Sequence, residues 1–89
     1  MMQIKIDKKA QKFIESLDKP SKQRIKKGIE GLTIKPPQGD IKRMQGYTDG
    51  RARLRIGKYR IVYRYKTDNS VEILHIMNID SRRDIYKHM

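Results

Sequence analysis

The most informative segment of this sequence is Gly50–Tyr65, GRARLRIGKYRIVYRY. It consists of two runs in which basic and apolar residues alternate, Arg51–Ile56 and Tyr59–Tyr65, separated by Gly57-Lys58. A two-residue spacer with glycine between alternating runs is typical of a tight β-hairpin. The stretch therefore predicts a two-stranded antiparallel ribbon in which Ile56 lies opposite Tyr59.

The two faces of this hairpin differ in chemistry, because opposed residues share a face and so do alternate residues along a strand. One face is apolar and carries Ala52, Leu54, Ile56, Tyr59, Ile61 and Tyr63. The other is basic, interrupted only by Val62, and we name it the arginine face: Arg51, Arg53, Arg55, Arg60 and Arg64. Guanidinium groups on one face repel one another, so we expect an open face that costs stability and meets a polyanion.

Two interpretations of the arginine face can be compared. Alternating charge is typical of any half-exposed antiparallel strand, and basic residues on an edge discourage aggregation. However, no acidic residue lies between Arg51 and Lys66, and most arginines follow residue 40 whereas most lysines precede it. The planar guanidinium group suits bidentate phosphate binding. The pattern therefore favours a phosphate-binding face, and Lys58 in the turn is a further candidate contact.

Composition limits the classes of protein to consider. The chain has 89 residues, which predicts a single small domain over residues 1–89. A net charge of +12 indicates a nucleic acid, an anionic membrane or an acidic protein as partner. Apolar runs are too short for a membrane span, no signal-peptide pattern follows the first residues, and cysteine is absent. We expect a cytoplasmic protein without a metal or a cofactor.

The N-terminal third predicts one strand and two helices. Met1–Asp7 alternates like a short strand, and Asp7 can cap a helix over Lys8–Leu17, which has apolar residues at helical spacing. A second amphipathic helix begins at Pro20 or Ser21 and ends near Leu32. Gly28 and Gly31 weaken this helix but let it approach a neighbour closely. The pair predicts a helical hairpin that covers one side of a sheet.

The remaining segments complete the expected architecture. Ile41–Gln45 can be extended, and Ser70–Ile79 is apolar enough for a strand inside the sheet. The tail Asp80–Met89 can begin a short helix with Asp80 or Ser81 as its cap. The sequence thus predicts an α+β domain, with a small antiparallel sheet in the order β-α-α-β-β-β plus a C-terminal helix or tail, and a helical hairpin on one face.

The sequence shows no familiar catalytic constellation. His75 lies within an apolar strand, which favours a structural role over that of a base, and His88 is beside the C-terminus. Tyr86 follows Arg82 and Arg83 at helical spacing. It can share their side of a helical turn or simply anchor the tail, and both interpretations stay open.

The hairpin run RARLRIGKYRIVY and the ending SRRDIY, within this order of elements, resemble the RelE/ParE superfamily of bacterial toxins. The RelE branch implies a ribosome-dependent messenger-RNA endonuclease that is neutralised by an antitoxin protein and acts in the ribosomal A site. The resemblance implies these active-site residues: Arg51, Arg53, Arg60, Arg82 and Tyr86. Arg83 matches the C-terminal arginine equally well, and it joins Arg55, Arg64 and Lys58 as an expected RNA contact.

One departure from the RelE pattern affects the chemistry. Arg51 and Arg53 stand where that branch often has lysine, and an arginine does not lose its proton in a protein. The base must then be Tyr86, His88, a ribosomal group or the RNA itself. The ParE branch shares the fold but implies inhibition of DNA gyrase, and it tends to lack the full residue set. Retention of the set favours the RelE branch.

Overall fold

The computed structural model describes residues 2–81, which form two helices and a five-stranded sheet. In chain order the elements are β1 (Gln3–Ile6), α1 (Lys8–Glu15), α2 (Lys19–Gly31), β2 (Asp40–Arg43), β3 (Ala52–Ile56), β4 (Tyr59–Asp68) and β5 (Val71–Ser81). The strand order across the sheet is β1-β5-β4-β3-β2. Neither helix is long and apolar enough to cross a membrane.

The central hairpin has the predicted register. β3 pairs antiparallel with β4, with Ile56 opposite Tyr59, Arg55 opposite Arg60 and Arg53 opposite Val62. Gly57 has φ +57, a left-handed conformation that a two-residue hairpin turn requires and glycine adopts without strain. The alternation of apolar and basic residues therefore separates them onto two faces of the sheet, as predicted.

The predicted α+β class is confirmed, while two features of the sheet differ from the prediction. β1 joins the sheet parallel to β5, with Ile4 beside Leu74, so the sheet is not wholly antiparallel. The segment before the hairpin forms a strand, β2, so four strands rather than three follow the helices. β2 pairs with β3 and lies at an edge of the sheet. Residue alternation determines which side chains face the core, but it does not determine the direction of a neighbouring strand.

β5 lies inside the sheet, between β1 and β4, as predicted. Val62 pairs with Asn78 and Tyr63 with Ile76, so β5 has a bulge at Met77. Asp80 is not the cap of a helix, because the residue after it is still part of β5, and a helix that follows Ser81 would lie outside the described residues. Both residues belong to β5, and Asp80 lies opposite Arg60. The rest of the tail lies outside the described residues.

The hydrophobic core lies between the helices and one face of the sheet. Its buried members are Ala10, Ile25, Ile29, Leu32, Leu54, Tyr59, Ile61, Tyr63, Leu74, Ile76 and Ile79. Helix α2 approaches β3 so closely at Gly28 that a Cβ atom there would collide with Ile56 Cδ1. The close approach predicted for this glycine is therefore confirmed, and it positions β3 for the site.

Asp7 and His75 connect the end of β1 to the neighbouring strand β5. Asp7 is the N-cap residue of α1, but its carboxylate makes no capping hydrogen bond. It lies 2.7 Å from Nε2 of the buried His75 instead. The predicted cap is thus correct in position and wrong in its hydrogen bond, while the structural role predicted for His75 is supported.

Candidate nucleic-acid interface

The arginine face lies on the side of the sheet that the helices leave uncovered. Arg53 and Arg55 of β3 and Arg60 and Arg64 of β4 point to this side, and Arg51 directly precedes β3. The side chains that form salt bridges are partly buried, with exposed fractions from 16% for Arg53 to 35% for Arg60. The structure thus brings together five of the predicted site residues.

Acidic residues outside the hairpin neutralise most of this face, which corrects the expectation of an open, uncompensated set of charges. Each acid lies in a segment beside the hairpin: Asp40 in β2, Asp49 in the loop before β3, and Asp80 in β5. The ion pairs are Arg51–Asp49 at 2.8 Å, Arg60–Asp80 at 3.0 Å, Arg64–Asp49 at 3.3 Å and Arg53–Asp40 at 3.7 Å. The hairpin itself lacks acids, so its own sequence could not reveal these partners.

Asp49 makes the densest set of contacts on this face. Its Oδ1 accepts hydrogen bonds from the backbone N–H of Arg51 at 3.2 Å and from Arg51 Nε at 3.1 Å. Its Oδ2 accepts from Arg51 Nη2 at 2.8 Å and from Arg64 Nη1 at 3.3 Å. The hydrogen bonds from Arg51 lower the pKa of Asp49 to about 2, so the carboxylate is ionised at neutral pH.

Tyr47 belongs to the same loop and was not singled out as a site residue by its sequence. The Arg51 guanidinium carbon lies 4.0 Å from the centre of the Tyr47 ring, which is a cation–π contact. The Tyr47 side chain is 49% exposed. Asp49 stands two residues before Arg51, a spacing at which an aspartate side chain commonly accepts a backbone N–H and forms a local turn. This spacing could have identified the loop from the sequence.

Arg55 and Lys58 differ from the other basic residues. Arg55 lies opposite Arg60 and forms no salt bridge within residues 2–81, where its buried Nε has no hydrogen-bond partner. Lys58 lies in the turn, with its ammonium group 5.4 Å from the centre of the Tyr59 ring. Tyr59 faces the helices, so Lys58 is not placed among the arginines.

The described residues offer few candidates for a catalytic base. Burial raises the pKa of Tyr63 to about 12 and also raises the pKa of Tyr65, and both phenols lie on the helix side. Within residues 2–81, no group of three or more metal-ligating side chains occurs. Arg82, Arg83, Tyr86 and His88 lie outside the described residues, so this part of the predicted site stays a prediction.

The solved structures that are similar to this fold include three antitoxin–toxin complexes. The RelB-RelE complex from Methanococcus jannaschii matches with a TM-score of 0.65 and 24% identity, covering 96% of this chain and 98% of the matched chain. The RelBE2 complex from Mycobacterium tuberculosis has a TM-score of 0.68 at 20% identity, covering 90% and 96%. The RelBE complex from E. coli has a TM-score of 0.59 at 21% identity, covering 89% and 94%. These similarities show a shared RelE-type toxin fold.

The sequence comparison assigns the family. A model described as the ParE toxin of the parDE type II toxin–antitoxin system matches residues 4–86, nearly the whole chain. A search of curated proteins gave no significant match. The chain belongs to the ParE toxin family of type II toxin–antitoxin systems, which confirms the superfamily that its hairpin and its ending resemble.

Proposed function

We propose that this toxin is a ribosome-dependent endonuclease that cleaves messenger RNA in the A site and so inhibits translation in the cytoplasm. The observation that carries the proposal is the collection of Arg51, Arg53 and Arg60 on the face of the sheet opposite the two helices. The resemblance to RelE gives these three positions active-site roles. Their partial burial strengthens interactions with a phosphate because the surrounding dielectric is lower than in water.

The proposed reaction is attack of the RNA 2′-hydroxyl on the adjacent phosphate. It needs a base, an acid for the 5′-oxygen, and positive charge around the pentavalent phosphorane. We assign Arg60 and Arg82 to the phosphorane charge, Arg51 and Arg53 to the RNA backbone, and Tyr86 to stacking or proton transfer. The products are a 2′,3′-cyclic phosphate or 3′-phosphate and a 5′-hydroxyl.

The remaining cations have less direct proposed roles. Arg55, Arg64 and Arg83 would contact neighbouring phosphates. Lys58 would contact RNA from the turn, since its ammonium group lies near the Tyr59 ring rather than beside the arginines. Displacement of Asp80 from Arg60 by the RNA phosphate would release the guanidinium group for catalysis.

Replacement of Arg60 tests the nuclease proposal. Arg60→Ala should lower the single-turnover cleavage rate on programmed ribosomes by about 100-fold, by analogy with removal of one oxyanion donor. The matched control is Arg24→Ala, which removes the same charge from an exposed position on helix α2, on the other side of the sheet. Near-normal cleavage by Arg60→Ala, with both variants folded, would remove Arg60 from the mechanism.

Inhibition of DNA gyrase is the second candidate, and the match to the ParE family favours it. In this case the arginine face would bind an acidic protein surface without cutting RNA. Purified toxin should be incubated with translating ribosomes and, separately, with gyrase and plasmid. Messenger fragments with unaffected supercoiling would exclude the gyrase proposal, whereas the reverse result would exclude the nuclease.

We also propose that a cognate antitoxin neutralises this chain, as three similar structures are antitoxin–toxin complexes. A net charge of +12 favours an acidic or amphipathic segment that folds on binding. It would cover the arginine face or displace the tail that carries Arg82 and Tyr86.

The salt dependence of antitoxin binding distinguishes these two modes. If carboxylates of the antitoxin cover the arginine face, raising the salt concentration from about 50 to about 300 mM should slow association several-fold. The reason is that such charges steer the encounter of the two proteins and are screened by salt. Because Asp40, Asp49 and Asp80 already neutralise part of the face, the effect should be smaller than for five free arginines. Stopped-flow association rates that do not change with salt would contradict cover of this face and favour displacement of the tail.

A further inference from the structure

One oxygen of the Asp49 carboxylate lies between Arg51, which precedes β3, and Arg64 of β4. This arrangement has the geometry of an anion-binding site. Oδ2 lies 2.8 Å from Arg51 Nη2 and 3.3 Å from Arg64 Nη1, so one oxygen accepts hydrogen bonds from two guanidinium groups. A phosphate oxygen prefers the same donors at the same distances. The side chain of Asp49 is 23% exposed, and it extends from a loop rather than from a strand. Solvent and a ligand can therefore reach this site.

The loop that carries Asp49 also presents an aromatic ring. One face of Tyr47 is stacked on Arg51, and about half of the side chain is exposed. Beside the ring is an open cavity of about 420 Å³, lined by residues of the same loop and the end of β2. Many proteins hold the bases and the backbone of single-stranded nucleic acid with aromatic rings that lie next to guanidinium groups.

We propose that residues 44–51 together with Arg64 form a nucleotide subsite for single-stranded RNA. An RNA phosphate would displace the Asp49 carboxylate from Arg51 and Arg64, and the adjoining base would stack on the open face of Tyr47. The inference rests on the proposed function in taking RNA as the ligand. It goes further in assigning Asp49 as an internal competitor for the phosphate and Tyr47 as the base contact.

A competing role and a positioning role for Asp49 predict opposite effects of its removal on RNA binding. If Asp49 competes with phosphate, its removal frees two guanidinium groups and strengthens RNA binding. If Asp49 chiefly holds Arg51 and Arg64 in place, its removal weakens binding. The replacement Asp49→Asn keeps the shape and an oxygen that can accept the backbone hydrogen bond of Arg51, so the loop is expected to fold.

The test is fluorescence anisotropy with a labelled hexauridine whose 2′-hydroxyls are methylated, which the toxin cannot cleave. Asp49→Asn should bind this RNA about five-fold more tightly at 100 mM salt and have a steeper salt dependence, by roughly 0.7 in the logarithmic slope for one further phosphate contact. Glu72→Gln is the control, since it adds the same charge but breaks an exposed ion pair to Lys35, away from the arginine face. Binding by Asp49→Asn that is no tighter than that of Glu72→Gln would overturn the proposal.

Variants of Tyr47 test the base contact separately. Tyr47→Leu should weaken binding by about five-fold or more, the lower end of the effect of removing one stacked base. Tyr47→Phe should retain wild-type affinity because the ring remains. For an abasic oligonucleotide of the same length, Tyr47→Leu and the wild type should have equal affinity. Equal affinity of Tyr47→Leu and the wild type for hexauridine would exclude the stacking contact.

The ribosome assay separates failure of this subsite from failure of the proposed function. If the wild type cleaves messenger RNA but the Asp49 and Tyr47 variants bind the oligonucleotide like the wild type, only the subsite is wrong. If the wild type does not cleave but the binding changes are as expected, the nuclease proposal is wrong and the subsite remains.

Discussion

The two faces of the sheet are made from the same strands but are stabilised in different ways. On the helix side, Leu54 is 1% exposed and Ile61 is fully buried among residues from both helices and β5. On the other side, the neighbouring Arg53 and Arg60 are partly buried and paired with carboxylates. The comparison shows how one alternating sequence builds a rigid core and a charged surface one residue apart.

The difference has an energetic consequence. Burial of a leucine side chain contributes about 1.5–3 kcal/mol, whereas an ion pair that water still reaches contributes about 0–1 kcal/mol. The helix side therefore carries most of the stability, and the arginine side can exchange its carboxylate partners for a ligand at little cost to the fold. This separation lets the arginine side change its partners without disturbing the core.

Truncation of Leu54 is expected to have the largest effect on stability. Leu54→Ala should lower the free energy of unfolding by about 2–5 kcal/mol, since it leaves a cavity beneath α2. Arg64→Ala, on the other face, should lower it by less than about 1 kcal/mol because the lost ion pair is partly exposed. Urea unfolding measures both. Similar losses for the two variants would contradict the division of roles between the faces.

Two glycines of α2 sharpen the comparison, because one touches the sheet and the other does not. Gly28→Ala should destabilise by about 1–3 kcal/mol, since the added methyl group overlaps Ile56 and crowds Leu54. Gly31→Ala should instead stabilise by about 0.5–1 kcal/mol, because its Cβ would lie 3.5 Å from the Gln38 carbonyl oxygen, an ordinary contact, and alanine favours the helix. Changes of the same sign in thermal unfolding would show that α2 does not contact β3 as described.

Titration of Asp49 is the smallest effect and probes the arginine side alone. The pKa of Asp49 is about 2 in the folded protein against 3.8 ordinarily, so its contribution to stability is present above pH 4 and disappears as the pH falls towards 2. Carboxyl carbon chemical shifts should give a midpoint near 2 for the wild type. Arg51→Gln should move the midpoint up towards 3.8. A wild-type midpoint already at 3.8 would contradict the contact between Asp49 and Arg51.

Several features could be read from the sequence because they depend on local periodicity. The register of the hairpin follows from Gly57-Lys58 and the alternation on either side of it, and the helices follow from apolar residues at helical spacing. The close approach at Gly28 was also accessible, since glycine inside an amphipathic helix indicates contact with a neighbour. The five arginines could be grouped on one face for the same reason.

Other features required the tertiary structure. Lys58 belongs by sequence to the basic stretch, yet the turn directs its ammonium group towards Tyr59. Asp80 was expected to cap a helix, but pairing across the sheet places it opposite Arg60 in β5. The contact of Tyr47 with Arg51 was not predicted because a single tyrosine in a loop has no periodic pattern around it.

Local sequence patterns therefore account for the two faces of the hairpin, the two helices and the family to which the chain belongs. These depend on neighbouring residues, whose spacing sets which side chains share a surface. Only the tertiary structure decided that β1 runs parallel to β5, and that Asp40, Asp49 and Asp80 meet the arginines. Such contacts join residues from different segments, and their formation depends on how the strands assemble side by side rather than on the pattern within any one strand.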